Sequence, residues 1–482
     1  MRRSGEDVRA AGTSRRRARP RPPFGVLLLL AGLAAATGCA GGSPRHPARD
    51  AERVGAAVDA RGAGTQAHCT PSFPDTDGWS GGDAAWSVPL AAPDPVSAQG
   101  AGRSVWLFGD SFVARGGTDA KGRAYPFVHN SIAISTCTHD GRFRLEPHWR
   151  VDEDGAPIAF FEPPRVTDDA AADAIGSGLD RFDYYWPLDA FLWRGELYVA
   201  LLCVAKGPPR GPFQLPFRLT GVDLARIENP AEPPASWRIR HATLARGDLA
   251  FPGAAFVVAR DHLYAFTFLD EGDGHTPRIL TRLALAALED WPPDLSPALE
   301  TWTDAEGWQP GLRPKQARIL MPDDATESSV LFDRTVGEWL AVYAEPSAAS
   351  VPKPGAAASK GSTGMVWLRR AARLEGPWSA REPLFRMPEL AVEPADPNVF
   401  CYAAKAHPQF AREGELLVTW VCNLFGRSEH ESLVQLRRLL EREDLYRPHA
   451  ARLPIPPRPT PPHRPTPAAD AASSATDPIP AR

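Results

Sequence analysis

Between about residues 105 and 422 the chain repeats one pattern of apolar and polar positions: a short polar motif, an apolar stretch, a turn, then an aromatic and aliphatic run. The first copy is VWLFGDSF from Val105, with a partner run NSIAIST from Asn130, and the second is YWPLDAFLWRGELYVALLCV from Tyr185. The others are FPGAAFVVARDHLYAFTFL from Phe251, TESSVLFDRTVGEWLAVY from Thr326 and AHPQFAREGELLVTWVC from Ala406. In the last four, a polar turn (Arg194 to Glu196, Arg260 to His262, Asp333 to Glu338, Ala411 to Glu415) joins two β-prone runs, as in a hairpin. The copies are about 65 to 80 residues apart, which suits a four-stranded sheet with one elaborated loop. Five such sheets around an axis predict an all-β, five-bladed β-propeller, whose strand edges are short and protected. Its innermost strands would bring the polar motifs together at one end of a central funnel. An irregular pair of β-sandwiches is the alternative. Only short helices are expected, at 284–288 (ALAAL) and at 433–443 (LVQLRRLLERE), the latter as surface decoration after the last blade.

The ends of the chain read differently. Residues 1–23 are Arg-rich, Phe24 to Ala36 form an apolar run, and Thr37 and Gly38 precede Cys39. The run is too short to span a bilayer and reads as a secretory signal over residues 1–38. A Cys at that point is similar to a bacterial lipobox, which implies lipidation at Cys39 and an anchored protein facing the periplasm or the exterior; an ordinary cleaved signal, giving a secreted protein, is the alternative. Residues 39–70 read as a disordered tether, 71–450 as the propeller, and the Pro-rich residues 451–482 as an extended or disordered tail.

Composition narrows the partners. Pro and Gly, 51 and 40 of 482 residues, point to many turns and away from a helical bundle. The net charge of −4 divides into about +6 for the first 38 residues and about −10 for the rest, so the body is too acidic to suit nucleic acid. Five cysteines remain beyond Cys39; an oxidising compartment permits disulfides among them, for instance Cys401 with Cys422, and an odd count leaves a thiol unpaired. The absence of a Cys-x-x-Cys pair disfavours a zinc-thiolate site. A monomer is expected.

The candidate chemistry lies at the matching point of each repeat: Asp110 in the first, Asp189 in the second, Glu327 in the fourth and His407 in the fifth, with no polar group in the third. Carboxyls at the starts of apolar strands are unfavourable to bury unless paired or solvated, so three converging on one funnel would perturb one another. That suits glycoside hydrolysis, in which one carboxylate is base or nucleophile and a protonated one serves the leaving oxygen. Alternatively each acid caps a turn within its own blade. Trp186, Tyr185 and Phe112 are candidate sugar platforms, with Phe251 better placed for packing, and Asn130 could bind hydroxyls; Arg318 fits a surface residue better. No cofactor is required by this chemistry, though Ca²⁺ or another ion could sit near the axis among oxygen ligands.

These motifs resemble a known group. WLFGDSF with Asn130-Ser131, YWPLDA, TESSV and AHPQF, together with LEGPWS from Leu374, look like the five-bladed propellers of family 43 and family 32 glycoside hydrolases and, more closely, a related bacterial group known mainly as domains of unknown function. The likeness covers roughly residues 75–450. It implies Asp110 as base or nucleophile, Asp189 as modulator and orienting acid, Glu327 as general acid, and His407 beside the axis near an ion or water. One departure is that Ser111 follows Asp110, where family 43 usually has Pro. The implied partner is a glycan, cleaved or merely bound; a non-catalytic glycan- or envelope-binding propeller is the alternative.

Phe108 to Ser111 (FGDS) is also similar to the first block of GDS-type esterases, with Ser111 as nucleophile. Those enzymes need a late Asp-x-x-His for the base, and none of the twelve His here has Asp three residues before it.

Overall fold

A computed structural model describes residues 66–90, 102–113, 127–164, 182–210, 215–271, 276–323, 325–344, 364–391, 396, 398–424, 426, 429–442 and 444–458. The signal segment, Cys39 and most of the tether and tail fall outside these residues. Among the described residues no helix is long and apolar enough to cross a membrane.

The architecture is a five-bladed β-propeller of antiparallel sheets. Blade I runs outward from the axis as β1 (Gly81–Pro89), β2 (Gly102–Phe112), β4 (Ser131–Cys137) and β5 (Phe143–His148), with β3 (Phe127–Val128) paired to the end of β2. A two-stranded β6 (Arg150–Val151) and β7 (Pro157–Ile158) follow it. Blade II comprises β8 (Tyr184–Trp193), β9 (Glu196–Arg210), β10 (Leu215–Ile227) and β11 (Ile239–Arg246). Blade III comprises β12 (Ala250–Ala259), β13 (His262–Leu269), β14 (Arg278–Ala284), β15 (Leu299–Thr303) and β16 (Gly307–Pro310). Blade IV comprises β17 (Ser329–Asp333), β18 (Glu338–Ala344), β19 (Met365–Ala371) and β20 (Glu382–Arg386), and blade V β21 (Val399–Ala406), β22 (Glu415–Leu424) and β23 (His449–Pro454). The expected polar turns join β8 to β9, β12 to β13 and β17 to β18, and Arg194 and Arg260 take the left-handed conformations that such tight turns need.

The alternation of side chains along each strand gives every blade two apolar faces, and each face packs on its neighbour. Leu107 and Ile132 meet Leu197 and Leu201 between blades I and II. Tyr198 and Leu202 meet Phe256 and Leu263 between II and III. Val257 and Phe266 meet Trp339 and Ala341 between III and IV, and Val342 and Leu368 meet Val418 and Val421 between IV and V. Trp106 and Phe108 meet Phe410 and Leu417 where blade V closes on blade I. Full burial of one such side chain is worth about 1.5–3 kcal/mol, so the seams hold the ring together.

Several expectations are corrected. The first repeat motif is not an inner strand: VWLFGDSF is β2, and the axial strand of blade I is β1, with the sequence GGDAAWSVP. The helices lie at Ala286–Asp290 (α1) and Glu429–Glu441 (α2), and α2 is inserted between β22 and β23 within blade V instead of following it. The fold also takes in part of both expected flexible ends. Cys69 is joined to Cys137 of β4, Gln66 donates a side-chain hydrogen bond to the Ser104 hydroxyl at 3.0 Å, and β23 continues to Pro454, past the boundary expected at 450. A second disulfide joins Cys401 of β21 to Cys422 of β22, the pair anticipated, and Cys203 is a buried free thiol.

Four inner strands carry a bulge at one level: between Gly82 and Trp86 in β1, Pro187 and Ala190 in β8, Pro252 and Ala255 in β12, and Tyr402 and Lys405 in β21. A bulge re-aims the side chains beside it. In β12 the position is taken by Gly253, at φ +118°, where an added Cβ would lie 2.7 Å from the Ala200 Cβ. Gly253→Ala is therefore expected to destabilise the fold by about 1–3 kcal/mol through strain and overpacking, read as a lower denaturation midpoint with an unchanged slope. A wild-type midpoint would show that this bulge yields freely.

Candidate functional site

The bulges of β1 and β21 face each other across the closing seam, and a cluster of charged groups fills the space between them. Asp83 of β1 accepts a 2.7 Å hydrogen bond from the Tyr402 hydroxyl, with the Tyr446 hydroxyl beside it. Its Oδ1 lies where a Cβ on Gly109 would be, so Gly109 admits the carboxylate by having no side chain. Burial pushes the Asp83 pKa well up, and the negative charges of Asp110 and Glu327 push it further. Asp110, near the end of β2, is 3% exposed; its Oδ1 accepts hydrogen bonds from Trp186 Nε1 at 2.8 Å and from His129 Nδ1 at 3.2 Å. The Tyr446 hydroxyl also donates to the Asp110 carbonyl at 3.1 Å, which ties the two acids together.

On the other side, Glu327 precedes β17 and is 8% exposed. Burial raises its pKa, opposed by the ammonium of Lys405, whose Nζ stands 3.6 Å from Glu327 Oε2. Lys405 is itself buried; it donates to the carbonyls of Ala84 and of Ala403, the latter at 2.7 Å, and lies 4.5 Å from the centre of the Trp86 ring. Burial lowers its pKa, and the charges of Glu327 and Asp83 oppose that shift. A buried ammonium beside carbonyls and a carboxylate is itself the cation of this cage.

The sequence-derived residues divide between this cluster and the packing. Asp110, Glu327 and Trp186 belong to the cluster. Asp189 lies at the β8 bulge and accepts backbone hydrogen bonds from Ala190 at 2.8 Å and from Phe256 of β12 at 2.6 Å, so it clasps blade II to blade III. His407 is buried, bonded through its two ring nitrogens to Ser87 at 2.6 Å and Thr419 at 2.7 Å, and packed 4.9 Å from Trp106. With both nitrogens occupied it ties blade V to blade I. Burial places its pKa well below the usual histidine value, and the charge of Lys405 lowers it further.

Tyr185 does not reach the funnel: its hydroxyl donates to Asp223 and its ring stacks 5.7 Å from His241. Phe112 packs on Phe127 and Tyr446. Asn130 is fully buried, with its amide donating to the carbonyls of Phe161 and Tyr185 and its oxygen accepting from the Phe161 N–H. These three fail as sugar contacts because every polar or aromatic surface they offer is spent inside the protein. Ser111 donates to the Gly109 carbonyl at 2.9 Å and lies 2.7 Å from the Ser131 hydroxyl, and no histidine among the described residues bonds to it. Arg318 makes a surface ion pair with Asp304 at 3.4 Å, as a surface residue would.

Sequence reasoning missed Asp83, Lys405, Tyr402, Tyr446 and His129. Lys405 had a signal, a lone cation within the otherwise apolar and small FCYAAKA of β21; Asp83 sits in a Gly- and Ala-rich strand with no apolar alternation to mark it. A cavity of ~20 Å³, lined by residues including Trp86, Asp189, Lys405 and His407, lies beside the cluster and has room for about one water molecule. A sugar ring cannot enter this cavity.

The matching of known sequence families decides the kinship, because one family model spans residues 71–454, from the first ordered turns to the last strand of blade V. The chain belongs to the DUF5005 family. That family is described as a domain of unknown function, and its span coincides with the five blades. No curated protein matches the chain. Among solved structures, the chain is similar to a candidate hydrolase from Bacteroides ovatus ATCC 8483, at 17% identity and a TM-score of 0.51 over 82% of this chain and 89% of that one. It is more distantly similar to the GH43 protein BlXynB from Bacillus licheniformis (13%, TM-score 0.35, 78% of this chain and 53% of that one). A third likeness is to an α-L-arabinofuranosidase from Lactobacillus brevis (11%, TM-score 0.34, 68% and 87%).

A pH dependence of stability follows from the two acids whose pKa values are raised. The folded state keeps protons on Asp83 and Glu327 at pH values where the unfolded chain, at about 3.8 and 4.5, has released them. Stability is therefore full below those unfolded values and falls as pH rises through the folded ones. Asp83→Asn is expected to shrink that fall, gaining about 1–2 kcal/mol on wild type between pH 5 and pH 8 in urea titrations. Parallel pH profiles for the two proteins would show that Asp83 carries no such penalty.

Proposed function

We propose that this DUF5005 propeller acts on an extracytoplasmic glycan at the mouth of its funnel, as a glycoside hydrolase that works through carboxyl groups. The observation that carries the reading is the convergence of Asp83, Asp110 and Glu327 across the seam of blades I, IV and V, with Asp83 and Glu327 both raised in pKa. A carboxyl whose pKa burial raises can hand a proton to a leaving glycosidic oxygen, and a neighbouring group can then assist the attacking water. In this reading Asp83 and Glu327 are the candidate proton donors, Asp110 lies beside them, and Asp189 shapes the site through the backbone. Trp186 reaches the site through its indole N–H on Asp110, and the chemistry requires no cofactor.

The second reading, a propeller that binds a glycan without cleaving it, is favoured by one observation: Lys405 stands 3.6 Å from Glu327 in a site that is nearly closed. We further infer export, with lipid attachment at Cys39 to a bacterial membrane and a single chain as the working unit. The two disulfides support an oxidising compartment outside the cytoplasm.

Asp83→Asn and Glu327→Gln are each expected to lower turnover of a cleaved oligosaccharide by about 100-fold or more while the fold persists, in a reducing-end assay over a panel of neutral and acidic oligosaccharides. Full activity in either variant would sink the carboxyl mechanism. Binding by calorimetry with no released ends in wild type would establish the second reading in its place. For the anchor, mass spectrometry of the protein from bacterial membranes should find a diacylglyceryl N-terminal Cys39; an unmodified N-terminus elsewhere would replace that assignment with simple secretion.

A further inference from the structure

His129 stands outside the readings above, yet it is the group of this neighbourhood that reaches solvent. It lies between β3 and β4, next to Asn130, whose three buried hydrogen bonds fix the local backbone. Its ring is held from three sides. Nδ1 meets the Asp110 carboxylate at 3.2 Å; the Tyr184 ring stacks on it at 3.6 Å with an interplanar angle of 12°; the Phe127 ring meets it edge-on at 5.4 Å. The side chains of His129 and Asp110 are 22% and 4% exposed, so the imidazole is the more accessible of the pair. Nε2 has no partner among the described residues. The Tyr184 hydroxyl, in the same stack, is buried and likewise lacks a hydrogen-bond partner among them.

An imidazole whose Nδ1–H is donated to a carboxylate is held in the tautomer that presents the Nε2 lone pair outward. Trp186 Nε1, at 2.8 Å, holds the same oxygen of Asp110 in place. We propose that His129 is the proton-accepting group of the site and that Asp110 is its positioning residue, the pair acting on a water or hydroxyl at the mouth of the funnel. This rests on the hydrolase reading for its substrate. In the step, Nε2 takes a proton from water as the water oxygen bonds to the glycosidic carbon; the bond to the leaving oxygen breaks, and that oxygen takes the proton of a carboxyl in the Asp83 and Glu327 group. The imidazolium then returns its proton to the carboxylate left behind, by way of solvent.

The test is acylation of the full chain by diethyl pyrocarbonate, followed peptide by peptide by mass spectrometry, with the exposed His139 as internal reference. An activated Nε2 should acylate faster than His139 although His129 is mostly buried, and Asp110→Asn should slow His129 severalfold while leaving His139 unchanged. A His129 that reacts no faster than His139, or at the same rate in both proteins, overturns the proposal without needing any variant at His129. With a cleaved oligosaccharide in hand, His129→Gln should lower kcat by about 100-fold or more with little change in KM, and an unchanged kcat would overturn it as well. If no glycan is cleaved but His129 shows the rapid, Asp110-dependent acylation, the hydrolase reading falls and the proton-accepting pair stands.

Discussion

The structure depends on how the ring closes. In every other seam the blades are consecutive in the chain, but blade V must find blade I without a strand shared between them. The closure is made by side chains: Tyr402 on Asp83, Lys405 on the Ala84 carbonyl, His407 and Gln409 on Ser87. Groups this polar are buried only because each finds a partner across the seam. Blade I in turn is presented correctly only because the β1 bulge turns Asp83 toward the axis. The candidate site and the latch of the ring are therefore one set of interactions, and the electrostatic tension among its acids is tolerated because the apolar faces of five seams hold them together.

This arrangement explains what could be read in advance. The hairpins of blades II, III and IV are apolar runs joined by polar turns, so their strands were legible from the pattern alone. The blade count followed from the repeat. The axial strand of blade I was not legible, because GGDAAWSVP has small residues where the axis is crowded, and its stronger neighbour VWLFGDSF took its place. Asp83 was lost with it. Asp189, found at the right place in β8, turned out to bond backbone amides of two blades, because a bulge leaves an N–H without a ladder partner and a nearby carboxylate fills the need.

Aromatic residues show the same limit. Tyr184, Tyr185 and Trp186 are adjacent in sequence, yet Tyr185 points into the seam of blades I and II while its neighbours face the other way, as period two requires. Which of them meets the site depends on the tilt of β8 and not on composition. His129 had no motif of its own; β2 and β8 bring Asp110 and Tyr184 to it.

The Cys69–Cys137 bridge decides where a pull on the leading segment would be felt. Just before the bridge, Gln66 is bonded to the Gln409 carbonyl, and Arg452 of β23 holds the Ala67 carbonyl at 2.7 Å. Tension arriving along that segment would pass into β4 and β23, on the outer parts of two blades. It would also reach the latch, because Gln409 donates to the Ser87 hydroxyl of β1, so the leading segment and the axial groups are mechanically coupled through one residue.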